Sequence, residues 1–460
     1  MKHSTQPTSK RHFSARTALI ALGLWLKQQK IWAPIEEKVD IHQKTLKHTP
    51  VQKLFDAFIA LLAGAQGLVE INKRVRSDPA LQRAFGREAC AEQSVVQETL
   101  DACTPDNVVQ MQQAVDIAFQ KHSQACRHDY QANWQLLDID MTGNPCGRKC
   151  EFASKGYFAH QPNRRGRQLG RVLATHSHEI VVDRLFDGKT QLARAFLPLM
   201  QAAQKTLDLD AQKCAHTILR VDAGGGTIDD INWALSQGYA YHGKDYVAHR
   251  AQNLAATVTD WIEDPKVLGR QVGWVVCQDN LYVRPVVRIA VRCAKKNGQW
   301  GVGVLVSTLS AEDVILLTRQ PIDKVGDPKA VLLAYVYFYD ARGGGVESSF
   351  KEDKQGLGLT KRNKKRFLAQ QMLVALTSLA HNVFVWARAV LSKACPKLAR
   401  LGILRLVRDL FTTSGWVQIN SRGRITQITL NQDDQMAQWL VISLPALLRR
   451  LNVDVNLGET

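Results

Sequence analysis

The chain lacks the marks of a secreted, membrane-spanning or repeat protein. Its nine cysteines are scattered from Cys90 to Cys395, odd in number and with no pair at two-residue spacing. That excludes a disulfide framework and a zinc knuckle, and it points to thiols kept reduced in cytoplasm. No run approaches the ~18 consecutive apolar residues that a membrane span needs. Neither an internal repeat nor a low-complexity tract is present, so solenoid and linker architectures are excluded as well. Lys2, Lys10 and Arg11 precede an apolar stretch from Thr17 to Leu26, in the manner of a secretory signal. Lys27-Gln-Gln-Lys30 follows it without a small-residue cleavage site, so this stretch is expected to be a buried helix.

Acidic residues are also scarce. Against 60 Lys and Arg stand 42 Asp and Glu, a formal net charge of +18, and the natural partner of such a surface is a phosphate polymer. With 45% hydrophobic residues, 460 positions supply real cores, and this length suggests about three domains.

The period of the apolar residues divides the chain. Residues 14 to about 125 read as helical, with helices at Val51 to Leu62 and Val108 to Phe119, and two short helices (Ala80 to Phe85, Glu92 to Leu100) across a turn at Gly86. That pair is compatible with a helix-turn-helix reader and equally with ordinary helical packing. From about 131 the pattern becomes strand-like at Trp134 to Thr142, Arg167 to Thr175 and Glu179 to Phe186. Helix 190–207, strand 216–222, helix 227–237 and strand 239–242 follow, which together suit a mixed sheet of the RNase H type. A β-rich block (about 268–307, with a hairpin turn at Asn297-Gly298) interrupts the pattern, which resumes with an expected strand from Ala330 to Tyr339. The expected organisation is a helical N-terminal DNA-binding domain (1–130), a core in two parts (131–245 and 326–395) split by a mainly β insertion (246–325), and a small α+β C-terminal tail (396–460).

Three acidic segments carry the chemistry. Asp140 and Thr142 close the first core strand on one face, with Asp138 one pleat earlier as a competitor. Asp222 ends a second core strand just before Gly224-Gly-Gly226. Glu347, Lys351 and Lys354 fall at i, i+4 and i+7, on one face of a helix. Carboxylates at the ends of core strands cost desolvation energy unless they are paired or hold a cation, so convergence of the three would make a metal site. Read singly, each has a plainer account: a turn cap at Asp140, a solvated ion-paired face at Glu347. The string around Asp222 also resembles the phosphate loop of actin-like ATPases, but the second Asp-Gly-Thr loop and the adenosine loop of those enzymes are not visible.

The order strand-Asp, strand-Asp, insertion, helix-Glu resembles that of prokaryotic insertion-sequence transposases with an Asp-Asp-Glu, RNase H-like core split by a β-rich insertion. Their third region reads Tyr, two residues, Arg, three residues, Glu, six residues, Lys. Tyr339, Arg342, Glu347 and Lys354 fit it, except that four residues separate Arg342 from Glu347. The likeness covers roughly residues 130 to 395. It implies that Asp140, Asp222 and Glu347 bind two Mg2+ (or Mn2+) ions and catalyse hydrolysis at an element's ends, followed by strand transfer into target DNA. Tyr339, Arg342, Lys351 and Lys354 would be its DNA contacts. The partners it implies are DNA with terminal inverted repeats, target DNA and a second copy of the chain in a synaptic complex, in a prokaryotic cytoplasm at the nucleoid, with no membrane. A nuclease of the same fold that does not join ends, and a catalytically inactive DNA-binding descendant, fit the same residues. Basic groups at Arg164, Arg165 and Arg167 and from Lys361 to Arg366 are expected to add backbone affinity. Trp274 and Trp300 offer either core packing or stacking on a base.

Overall fold

The computed structural model describes residues 10–44, 47–159, 161–245, 247–277 and 280–459. Lys2 lies outside them. The chain forms two compact units: Gln124–Gly143 with Ser154–Ser349, and Met1–Ser123 with Asn144–Ala153 and Phe350–Thr460.

The first of these units is built on a ten-stranded sheet. Its leading strands are β1 (Gln135–Pro145), β2 (Arg165–Ala174) and β3 (Glu179–Asp187), followed by helix α1 (Leu192–Leu207), β4 (Thr217–Val221), α2 (Ile228–Ser236) and β5 (Ala240–Lys244). β2 and β3 are antiparallel, whereas β1, β4 and β5 run parallel in that order. Three neighbouring strands followed by alternating helix and strand is the arrangement the apolar periodicity anticipates.

The β-rich block extends this same sheet. Strands β6 (Arg270–Trp274), β7 (Val287–Ala294) and β8 (Trp300–Ser307) form an antiparallel set, and β8 pairs with β5 through Leu305↔Lys244, Val306↔Gly243 and Ser307↔His242. Gly298, at φ +77°, makes the expected hairpin turn between β7 and β8.

The expected strand from Ala330 to Tyr339 is a helix, α3 (Pro328–Asp340). Asp327 caps it, accepting from the backbone N–H groups of Lys329 and Ala330, and Pro328 sits at the first helical position, where a missing N–H costs nothing. The helix is apolar on nearly every side because Leu332, Tyr335 and Val336 pack with Leu136, Ile218, Ile289 and Leu305 of the sheet. Burying each such side chain contributes about 1.5–3 kcal/mol. That outweighs the helix propensity lost at Val, Tyr and Phe, at most ~0.7 kcal/mol apiece. Polar ties complete the docking: Tyr337 Oη donates to Asp264 Oδ1 at 2.9 Å, and Arg270 pairs with Asp340 at 2.7 Å.

In the other unit, helices Thr17–Gln29, Pro50–Leu62 and Pro105–His122 form as expected, the last two behind Thr49 and Thr104 capping boxes. Residues Ala18 to Leu22 are fully buried, so the signal-like stretch is a core helix. Pro79–Ala84 and Gln93–Asp101 flank the turn at Gly86. The expectation that nothing here is long and apolar enough for a membrane needs correction. Helix Phe367–Ala394 passes that test, with mean hydropathy 1.4 over its best window, but 78% of the window is buried inside the protein. A four-stranded sheet joins Lys10–Ser14, Gly415–Ile419, Ile425–Asn431 and Asp454–Gly458. The middle two strands are the anticipated hairpin around Ser421–Gly423, while the outer two were not legible as strands.

Candidate active site

β1 and β4 pair in register from Gln135↔Thr217 to Ile139↔Val221. Asp140 and Asp222 are each the next residue, so adjacent parallel strands deliver both carboxylates side by side where their pairing ends, about 5 Å apart in backbone spacing. β1 itself runs on to Pro145, which corrects the expectation that it stops near Thr142. Beyond Asp222 the chain turns through Ala223–Gly225, and Gly225 is buried against α1, where an added Cβ would meet Leu192 at 2.7 Å. Glu347 comes from the opening turn of helix α4 (Val346–Gly356).

The three carboxylates converge on one guanidinium. Arg342 places Nη2 3.3 Å from Asp140 Oδ2, and Nη1 3.6 Å from Asp222 Oδ1 and 3.5 Å from Glu347 Oε1. Tyr339 Oη donates to Asp222 Oδ1 at 2.6 Å, and the Arg342 guanidinium lies 5.5 Å from the Tyr339 ring centre. Arg342 is 3% exposed at its side chain, whereas Asp140, Asp222 and Glu347 are 18, 47 and 56% exposed. The cation therefore lies beneath and the carboxylates face outward. Asp140 and Asp222 line a cavity of about 1060 Å³, together with Lys155, Tyr157, Gln168 and Lys189.

Burial pushes the Asp140 carboxyl up to about 7, aided by the neighbouring Asp222 and Glu347 charges and opposed by Arg342 and the Met141 N–H. At Asp222 burial acts upward too, but Arg342, the Tyr339 hydroxyl and the Ala223 N–H outweigh it and hold the carboxyl below its ordinary value. The two carboxyls thus separate in acidity, with Asp222 ionised and Asp140 poised near neutrality. A raised carboxyl destabilises the folded protein above its folded pKa, and that cost fades as pH falls toward the unfolded value. Asp140→Asn is accordingly expected to gain stability relative to wild type as pH rises from about 4 to about 7, and to hold that gain above 7. Paired thermal melts in chelator across that range measure it.

Asp138, the competitor for the first position, is held in a buried ion pair. Arg220 lies directly opposite it in the β1–β4 register and grips it with two bonds, Nε to Oδ1 at 2.6 Å and Nη2 to Oδ2 at 2.8 Å; both side chains are buried to 1% or less. Arg220 Nη1 also donates to the Phe338 carbonyl of α3 at 2.6 Å. Sequence reasoning missed Arg220, although its signal was present: a charged residue inside the apolar run Ile218-Leu-Arg-Val demands a buried partner. The glycine run has a related cause. An added Cβ at Gly345 would stand 2.2 Å from Asp138 Oδ2. Gly345→Ala is expected to break the Asp138–Arg220 pair and lower the stability of the sheet by about 3 kcal/mol or more, read from hydrogen exchange of the β1 and β4 amides.

Several expected DNA contacts lie elsewhere than on an open surface. Arg342 and Tyr339 are turned onto the carboxylates rather than to solvent. Lys351 is exposed and Lys354 half-buried, further along α4. Arg167 is fully buried in the sheet, and in the Lys361–Arg366 run Arg362 is buried on the Ala65 carbonyl while Lys364 bonds Gln97. Arg362 and Lys364 are thus engaged by partners within the protein, a backbone carbonyl and a side-chain amide. Trp274 packs edge-on against Tyr335, whereas Trp300 is 41% exposed and covers the Arg292 guanidinium at 4.6 Å.

No protein-family model matches this chain, and no curated protein does. Among solved structures it is similar to the piggyBac transposase of a cryo-EM synaptic complex with hairpin DNA, at TM-score 0.45 and 15% identity, over 88% of this chain and 84% of that one.

The donor set itself bears on metal binding. It consists of hard carboxylate oxygens without His or Cys, the chemistry that suits Mg2+ or Mn2+ rather than zinc. It already converges on one positive charge, the Arg342 guanidinium, as a stand-in cation. Among the described residues no three His, Cys, Asp or Glu side chains stand close enough to ligate one ion as arranged. The residues thus supply the donor chemistry of a divalent site, while Arg342 holds the position on which they converge.

Proposed function

We propose that this protein is a metal-dependent DNA transposase with an RNase H-like Asp-Asp-Glu core, of the prokaryotic insertion-sequence class. The observation that carries the proposal is the meeting of Asp140, Asp222 and Glu347, delivered by two adjacent parallel strands and a helix, around one cationic position in a chain of net charge +18. The strand order and the resemblance of the Tyr339–Lys354 region support the same reading.

In it, Asp140, Asp222 and Glu347 would hold two Mg2+ ions, which would supply Lewis acidity and an activated water or 3′-hydroxyl for in-line displacement at phosphorus. Tyr339, through its 2.6 Å bond, fixes the orientation of the Asp222 carboxylate. The Asp138–Arg220 pair anchors the strand ends beneath the site. Lys155 and Lys189 on the cavity wall offer point charges to DNA phosphates, and Tyr157, 82% exposed, offers a ring to an unstacked base. DNA bearing inverted repeats, target DNA and a second copy of the chain are the proposed partners.

The test is a strand-transfer assay with Mg2+ on an oligonucleotide carrying an exposed 3′-hydroxyl at a candidate end, taken from inverted repeats flanking the reading frame. Joined product is the expected result. Cleavage with no joined product would retire the transposase reading in favour of a nuclease, and no reaction on any flanking repeat would count against both.

A further inference from the structure

We infer that Arg342 occupies the cation position of the Asp140–Asp222–Glu347 cluster in the DNA-free protein, and that divalent ions load there only as a DNA phosphate draws its guanidinium away. The inference rests on the metal-dependent reading above and assigns to one residue the coupling between metal and DNA.

Four features lead to it. The guanidinium touches one oxygen of each carboxylate, so it offsets part of the charge that would otherwise attract a divalent ion. Its contacts are loose: 3.3 to 3.6 Å, against the 2.7–2.9 Å of a well-formed charge-assisted bond. Nε and Nη2 are buried and make no hydrogen bond, a cost that a phosphate with several acceptor oxygens would remove. Third, metal and guanidinium exclude each other. Ligation at 2.0–2.6 Å would draw the carboxylates together through the space the guanidinium holds, and a divalent ion about 4 Å from a fixed positive charge is strongly repelled.

The fourth feature is room to move. Arg342 sits in the short turn Ala341–Gly344, and an added Cβ at Gly343 or Gly344 would find nothing within 4 Å, so the backbone following Arg342 is unconfined on that side. Tyr339, one turn earlier, donates to Asp222 Oδ1, the same oxygen that Arg342 Nη1 approaches at 3.6 Å, so its shorter bond holds that carboxylate when the guanidinium leaves.

Such competition makes metal and DNA binding reciprocal, each raising the affinity for the other by the same factor. A site that is open only in a fraction of molecules binds its ion more weakly by that fraction. Removing the competitor therefore tightens metal binding without DNA, whereas loss of a mere DNA contact would leave it unchanged.

The experiment is calorimetric titration of Mg2+ alone into the DNA-free full chain at neutral pH and low ionic strength, for wild type, Arg342→Gln and Arg342→Lys. Arg342→Gln is expected to bind about tenfold more tightly or better. Arg342→Lys, which keeps the charge, is expected to stay near wild type. With a saturating short duplex, and the heat of Mg2+ into duplex alone subtracted, wild type is expected to approach the Arg342→Gln affinity and the variant to change little. Equal or weaker Mg2+ binding by Arg342→Gln overturns the inference and leaves metal-dependent function standing. Absence of DNA-free binding by both proteins overturns the inference, and absence of binding with the duplex present as well overturns the metal-dependent reading. Should Arg342→Gln fail to fold, Arg342→Met, similar in length and uncharged, carries the same comparison.

Discussion

Asp222→Asn is expected to lower Mg2+-dependent cleavage of a cognate DNA end by about 10³-fold or more while leaving the melting temperature within a few degrees of wild type. The amide keeps the shape of the carboxyl and can still accept the Tyr339 hydroxyl now bonded at 2.6 Å, so packing survives. What disappears is one of three negative charges around the central position, on a side chain already 47% exposed. Metal-centred stabilisation of a transition state is worth several kcal/mol, and each 1.36 kcal/mol is tenfold in rate. Initial rates on an end-labelled duplex, alongside circular-dichroism melts of both proteins, make the measurement. A folded Asp222→Asn protein that cuts within about tenfold of wild type would remove this residue from the mechanism.

Asp138→Ala, two residues from Asp140 on the same strand, is expected to fail in the opposite way, losing about 3–5 kcal/mol of stability. Arg220 is 1% exposed, and without Asp138 its charge keeps the Phe338 carbonyl and ring but no carboxylate. An uncompensated buried charge costs more than the pair itself contributes, so Asp138→Leu combined with Arg220→Met is expected to recover much of the loss. Because the chain has two units, one unfolding midpoint is not enough. Hydrogen exchange of the β1 and β4 amides reads the sheet directly: their protection should fall by the same 3–5 kcal/mol, while amides of helix Phe367–Ala394 keep theirs. Unchanged exchange in β1 would show that the pair is dispensable.

The contrast between these two aspartates shows what could and could not be read from residues alone. Alternation put Asp138 and Asp140 on one face, and both were candidates, because period-two patterning reports the face and not the partner. Only the parallel register, which sets Arg220 opposite Asp138, separates them. The core strands and the turn at Asn297-Gly298 were legible because one face is buried and the turn chemistry is specific. Segment 330–339 was not, since a helix buried on nearly all sides shows no period, and its Val, Tyr and Phe content imitates a strand. Lys10–Ser14 and Asp454–Gly458 were missed because strands lying at the edges of a small sheet carry few apolar positions. Among the candidate site residues, the three carboxylates meet around Arg342; strand-end placement and the family resemblance suggested grouping them. The inward turn of Arg342 and Tyr339 was invisible, because spacing on a helix cannot tell whether a cation faces solvent or a buried carboxylate.

The strand Lys10–Ser14 finds its partner only at Gly415–Ile419, some four hundred positions later. During synthesis at roughly 5–20 residues per second, the earliest helices must wait on the order of half a minute for the hairpin that completes their sheet. The intervening α/β unit has emerged in full before then and can mature first. A ribosome that stalls late would therefore release a chain with a finished sheet bearing Asp140 and Asp222, yet with its opening helices still exposed to chaperones and proteases.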